Sequence, residues 1–571
     1  MSRMEKRKAI EAKKRNKLTT WMLIMAFVAS TVLFYFLGPY FFGALPWQKE
    51  TEEPYRVVFD DEKYDVPFIV EEEIVFLPLS WVEEQITGKL EIRENPLRVR
   101  MITKNEQLNY EDGTLTEFMN KDDIPFEVSL LEAGDEIYFP LSGLDMLLDH
   151  KTTHHPEAEL ITIDQLRKPY QSATVTEETA LREDVGLFSR SIIDIEAGES
   201  VRVLETWENH VYIRTDRGFF GFLPKDSVQT LRSHEPATNQ LLMKHASPRT
   251  LEHPFGMVWE YVGNTHPDRS EDEVIPALSV VSPTWFELEN EMGDLVGKAQ
   301  FRYAAYMRDR GYQIWGLVTN AFDPDMTESF LMNTEAQDHF IRQLLLYASL
   351  YQMEGINLDF ENIHYRNQQE LTDFVHRLSE KIRDQGLILS IDVTIPGGSL
   401  NWSQVYDRSG LAPLVDYVCV MTYDEHWGSS PVAGSVASVG WVENGIQNTL
   451  KEVPAEKVLL GLPFYTRLWE EITQPDGSVS VSSRALGMDY AESILEENDI
   501  IRDDWQWLEE AGQYYAEYEA DEIRYRIWLE NERSIALKAS LIDDYGLAGF
   551  AGWRKGFERT AIWDVLKDAL Y

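Results

Sequence analysis

Asn357, Asp359 and Glu361 alternate with Ile356, Leu358 and Phe360 in EGINLDFENI, a stretch otherwise built like a buried strand. Residues two apart on a β-strand share a face, so the three polar groups point one way and the apolar groups the other. Two ionised carboxylates side by side in a low-dielectric site repel each other and lose hydration. At least one must therefore hold a proton or be heavily hydrogen-bonded. A carboxyl group protonated at neutral pH is equipped to act as a general acid. The alternative is a solvated edge strand with ordinary surface acids.

The surrounding elements decide between these readings. From about Leu251, strand patterns alternate with helical ones, as in βα units around a parallel sheet. Eight strand candidates follow in order: GMVWEYV, IPALSVVS, QIWGLVTN, GINLDFEN, LILSIDVT, YVCVMTYD, VLLGLPFY and LAGFAGWR. Between the fourth and fifth, Leu371, Phe374, Val375, Leu378 and Ile382 form one apolar helical stripe that Gly386 ends. Eight such strands make a TIM barrel, whose active site lies at the C-terminal strand ends. The residues 357, 359 and 361 end the fourth candidate, the TYD of Tyr423 and Asp424 ends the sixth, and Trp553 ends the eighth. Residues 466–540 are too many for one crossover and predict an inserted α+β piece before the last strand.

EGINLDFE, MTYDEHW, LGLPFYTR and GFAGWRKG, in that barrel order, resemble the motifs of glycoside hydrolase family 18, the chitinase-like family whose fourth strand reads DxxDxDxE. The resemblance covers roughly residues 251–571. It implies Glu361 as general acid, Asp359 as the carboxylate beside it, and Tyr423 and Asp424 as the sixth-strand pair. Trp553 would be the floor of the sugar site. Glu354 and Asn357 depart from the first two Asp positions, which puts the tuning of Asp359 in question rather than the reaction. Trp285 and Trp427 are further candidates for sugar stacking, with barrel packing as the alternative for each. The implied substrate is an N-acetylglucosamine-containing glycan, cleaved with retention through the substrate's own acetamide. No metal and no cofactor is implied. The rival is a catalytically silent glycan-binding or envelope scaffold protein on the same barrel, and a third possibility is a spore or division factor whose enzyme role is secondary.

The 571 residues exceed one compact core and imply several domains. A net charge of -44 argues against a nucleic-acid partner, which requires clustered Lys and Arg. Residues 1–17 carry eight Lys or Arg against two Glu, and no charged residue follows from Leu18 to Gln48. That pattern predicts a cytoplasmic basic tail (1–17) and a single transmembrane anchor (18–45), with the rest of the chain outside the cell membrane. IVFLPLSWVEEQITGKLEI and IYFPLSGLDMLLDHKTTHH form an internal repeat within 54–166. It resembles the module named after the N-terminal domain of copper amine oxidases, common in envelope proteins of Gram-positive bacteria; copper is not implied. Residues 172–232 resemble a bacterial SH3-like domain, which implies attachment to the cell wall. There Trp207, Tyr212, Phe219 and Phe220 are either a ligand platform or core. Cys419 has no disulfide partner and reads as a small buried hydrophobe. The nearest metal pattern, DHKTTHH at 149–155, reads as a polar loop.

The expected architecture is thus multidomain: an N-terminal transmembrane helix, small β-rich modules, then a (β/α)8 TIM barrel at 250–571 with an α+β insertion at about 466–540.

Overall fold

The computed structural model describes residue 25 and residues 56–103, 108–109, 113–186, 189–234, 241–242, 248 and 250–571. The basic tail and, apart from Met25, the expected anchor at 18–45 lie outside the described residues. No helix among the described residues is long and apolar enough to cross a membrane. The described residues divide into two compact units, one drawn from 56–78 with 148–234, the other from 79–147 with 241–571. The expected 54–166 module therefore contributes to both.

In the first unit, strands between Tyr170 and His234 form a seven-stranded antiparallel sheet. Its core holds Ala173, Val175, Leu181, Val201, Ile213 and Leu223. Phe219 packs against that core, whereas Trp207 and Tyr212 lean on Phe222 with ring centroids 5.0 and 4.8 Å away. The segment read as a polar loop is instead a strand: His150–His155 pairs antiparallel with Leu160–Gln165. Sheet pairing gives its backbone groups partners, while His155 meets Thr162 Oγ1 at 2.9 Å.

The second unit contains the barrel. Its strands are β1 (Phe255–Glu260), β2 (Val280–Leu288), β3 (Gln313–Thr319), β4 (Gly355–Asp359), β5 (Ile388–Thr394), β6 (Tyr417–Met421), β7 (Val458–Pro463) and β8 (Gly549–Trp553). All eight pair in parallel, and β1 pairs with both β2 and β8, which closes the ring. The eight candidates are all present, with one shift. β2 begins at Val280 rather than Ile275, because residues 275–278 close a turn through Leu278 N–H and the Ile275 carbonyl at 3.0 Å.

Every residue of β1 and β4 is buried, as expected of strands covered on both faces. Met257, Trp259, Trp315, Leu317, Cys419 and Ala551 share one core cluster. Outside stand α1 (Phe301–Asp309), α2 (Pro324–Leu331), α3 (Thr334–Tyr351), α4 (Gln368–Asp384), α5 (Val439–Thr449), α6 (Glu532–Tyr545) and α7 (Ala561–Leu570). The predicted stripe of α4 is buried in full. Just past β4, Phe360 meets Phe330, Phe340 and Phe374 of α2, α3 and α4 at centroid separations of 6.2, 6.0 and 5.7 Å.

The insertion is a five-stranded antiparallel sheet with the helix Met488–Glu497, and it spans 465–529. It ends before the expected residue 540 because α6 is the crossover helix to β8. The buried Lys538 Nζ of α6 sits 2.8 Å from Glu530 Oε1, and Gln513 of the insertion donates to the same carboxylate at 2.7 Å. Residues 79–147 join the barrel through the buried Glu127, whose carboxylate meets Arg93 and Arg98 at 3.0 and 2.9 Å and accepts from Gly297 N–H.

Leu358 is fully buried on β4. Leu358→Ala should lower unfolding free energy by ~2–5 kcal/mol in denaturant titration, as a core truncation that leaves a cavity. A loss below about 1 kcal/mol would contradict the assigned strand face.

Candidate active site

β4 carries Asn357 and Asp359 into the barrel's C-terminal end, and the chain leaves the sheet just before Glu361. Asn357 is fully buried and uses its whole amide. Its Oδ1 accepts from Trp259 Nε1 (2.9 Å) and Ser282 Oγ (3.0 Å), and its Nδ2 donates to Ser390 Oγ (3.0 Å) and Asp392 Oδ1 (2.7 Å). Trp259 Nε1 also reaches Asp392 Oδ2 at 3.1 Å, and the Cys419 thiol hydrogen-bonds the same carboxylate. Asn357 therefore spans β1, β2 and β5. Glu354, the other departure from the acid motif, lies before β4 and accepts from Ile314 N–H at 2.8 Å, at the opposite end of the barrel.

Burial dominates the electrostatics. Asp359 is pushed from the ordinary 3.8 to about 7 by loss of hydration. Its Oδ1 is buried without a hydrogen-bond partner. Glu361 is raised well above the carboxylate range, first by burial and then by Asp359, Asp392 and Asp424. Burial and Asp359 likewise raise Asp392, against the donors that surround it. The cluster thus keeps protons at neutral pH and titrates as a unit.

The other side of the site comes from β6, β7 and β8. Tyr423 meets Trp259 edge-on at 6.4 Å, and Trp553 meets the same indole at 6.0 Å. Asp424 accepts from Tyr465 Oη (2.7 Å) and Arg467 (3.3 Å), just beyond β7. Trp427 lies on the loop after β6, half-exposed, with its indole N–H on Ser429 Oγ. Trp285 requires correction: with β2 placed at 280–288, its ring is fully buried against Tyr303 of α1 and Tyr351 of α3, so it packs the barrel's outside and is not part of the site.

Trp259, Asp392, Tyr465 and Arg467 belong to the site and are not among the residues singled out from the sequence. The alternation of Ser390 and Asp392 in LILSIDVT was an available signal, since it repeats on β5 the polar pattern of β4. Among the described residues, Asp325, Glu328 and His364 could bring three metal-ligand atoms together. Ion pairs already occupy them: His364 with Asp325 at 2.7 Å and Arg366 with Glu328 at 2.6 Å. A cavity of about 850 Å³, lined by His253, Glu456, Asp543 and Tyr571 among others, opens instead near the N-terminal strand ends, the end of such barrels associated with stability.

Chemically, the arrangement brings a protonated carboxyl group and an adjacent buried carboxyl together with a phenol and an indole that both meet Trp259. Because Asp359 binds its proton more tightly when folded, the folded protein holds a proton between about pH 4 and 7 that the unfolded chain releases. Its contribution to stability is present at low pH and is lost as pH rises through 7. Asp359→Asn removes this titration, so the variant should gain on the parent by ~2–3 kcal/mol more at pH 8 than at pH 5, because about two units of the window between pH 4 and 7 lie above pH 5, at 1.36 kcal/mol per unit. Denaturant melts at the two pH values measure it; a difference independent of pH would contradict the assignment.

Comparison with known proteins bears on this arrangement. Residues 325–557 match the family model for Glycosyl hydrolases family 18. The uncharacterized glycosylase YvbX of Bacillus subtilis (strain 168) is 25% identical over 304 residues, which is 51% of this chain and 84% of that protein. The cortical fragment-lytic enzyme of Bacillus anthracis is 26% identical over 255 residues, 43% of this chain and 56% of that enzyme. This chain thus spans little more than half the length of that relative. The solved spore cortex-lytic enzyme SleL of Bacillus megaterium QM B1551 shares the fold, with a TM-score of 0.50 and 19% identity over 62% of this chain and 77% of that one.

Proposed function

Because the C-terminal barrel is a glycoside hydrolase family 18 domain, chitinase-like in its motifs, we propose that this protein is an envelope glycosidase that cleaves β-1,4 links next to N-acetylglucosamine, with peptidoglycan or a related wall glycan as substrate. The observation that carries the reading is the pairing of Glu361, kept protonated by burial and neighbouring carboxylates, with Asp359 and its open buried oxygen.

In this mechanism Glu361 gives its proton to the glycosidic oxygen while the substrate's acetamide carbonyl attacks the anomeric carbon from the opposite face. Asp359 Oδ1 accepts the acetamide N–H and balances the charge that develops on it. Tyr423 orients the acetamide oxygen, and Trp553 lies beneath the sugar ring. Glu361, now a carboxylate, takes a proton from the water that opens the oxazolinium, which returns the acid and retains the anomeric configuration.

Supporting the wall substrate are the relative named as a cortical fragment-lytic enzyme and the resemblance of residues 172–232 to a wall-binding SH3-like domain. The basic tail and uncharged run at 18–45 support a membrane tether with the barrel outside. Protease added to intact protoplasts should remove everything beyond about residue 50, by the positive-inside rule; protection of the barrel would overturn the tether.

Glu361→Gln keeps the side chain's shape without its transferable proton. With purified peptidoglycan or N-acetylglucosamine oligomers, and new reducing ends as readout, the rate should fall by ~10²–10⁴-fold while glycan binding persists. Parent-level cleavage by this variant would leave the carboxylates a structural role and favour a silent glycan-binding protein.

A further inference from the structure

The ladder between β3 and β4 ends at the pair Thr319 and Asp359, so the general acid sits on chain that the sheet no longer holds. One side chain takes over. The backbone N–H of Glu361 donates to Asn320 Oδ1 at 2.9 Å, and Asn320 Nδ2 donates to the Glu361 carbonyl at 2.7 Å. The carboxamide thereby imitates the next rung of the sheet. Its second N–H donates to Thr327 Oγ1 at 2.8 Å, and that hydroxyl donates to the Asp323 carbonyl, at the N-cap of α2. Asn320 and Thr327 are both fully buried.

The lock is reciprocal. Asn362 Nδ2 donates back to the Phe322 carbonyl at 2.9 Å. Ala321, Phe322 and Asn362 all hold left-handed backbone angles, φ 54°, 56° and 50°. Such conformations carry a cost for Ala and Phe that surrounding contacts must offset, and they recur at functional sites. Two loops are thus fastened by two asparagines, with Glu361 between the fastenings.

We propose that Asn320 is a positioning residue for the general acid: it holds both backbone groups of Glu361 so that the carboxyl meets the glycosidic oxygen. This rests on the glycosidase reading above. A displacement of about 1 Å in a reacting group can cost ~10²-fold in rate, so a two-point hold on the acid's own peptide groups is a direct lever on turnover.

The test compares two substrates in the full-length protein: an N-acetylglucosamine oligosaccharide, whose departing hydroxyl needs a proton, and its nitrophenyl glycoside, whose leaving group departs as an anion. For Asn320→Ala, kcat on the oligosaccharide should fall by ~10²-fold with KM changed by less than about threefold. The nitrophenyl glycoside should lose less than about tenfold, because proton donation matters little there. Thr327→Val, equal in shape, frees the amide without touching it and should show the same selectivity at smaller size; it decides the matter if Asn320→Ala does not fold. Equal losses on both substrates, or none, in the folded variant would overturn the positioning role. A parent that cleaves neither substrate would instead overturn the glycosidase reading.

Discussion

Moving a carboxylate out of water costs several kcal/mol unless hydrogen-bond donors, an opposite charge or a bound proton compensate, and this barrel encloses Asp359, Glu361 and Asp392 together. Compensation is uneven. Asp392 receives donors from Asn357, Trp259 and Cys419, whereas Asp359 has one oxygen with none. Protons retained by the cluster make up part of the difference. In the mechanism proposed above, that oxygen is the one that receives the substrate amide, so binding there would also relieve part of the cost of burial.

Such a cluster needs rigid walls. The phenylalanines of α2, α3 and α4 close around Phe360, immediately before the acid, and fix the exit of β4 from outside. The insertion presents Tyr465 and Arg467 to Asp424, while the buried Lys538–Glu530 pair, directly after its last strand and shared with Gln513, ties it to α6. Removing one partner of a buried pair is far more damaging than never having had it, so this tie fixes the insertion's seat even if its net stabilisation is small.

The eight strands were legible because each is a short apolar run between turn signals, and burial on both faces produces that composition. The acid pair was legible because polar residues at a period of two violate the rule. Asn320 was not: its partner lies 41 positions away, in another loop, and asparagine after a strand ordinarily signals only a turn. Asp392 carried the same alternation as Asp359, but nothing local showed that Asn357 would reach across to it. For Trp285 the barrel-packing alternative holds: a turn at 275–278 delays β2, so the indole falls within the strand and packs against α1 and α3. His150–His155 read as loop because pairing energy comes from backbone groups, which polar side chains do not reveal.

The 2.7 Å contact between Asn357 Nδ2 and Asp392 Oδ1 also constrains how this sequence can change. An aspartate at 357 would meet Asp392 at that distance only with a further proton held between the two carboxyls, and an apolar residue at 392 would leave the amide's donor without its shortest contact. Each position therefore makes a single change at the other costly, while the pair exchanged together keeps one amide and one acid in contact.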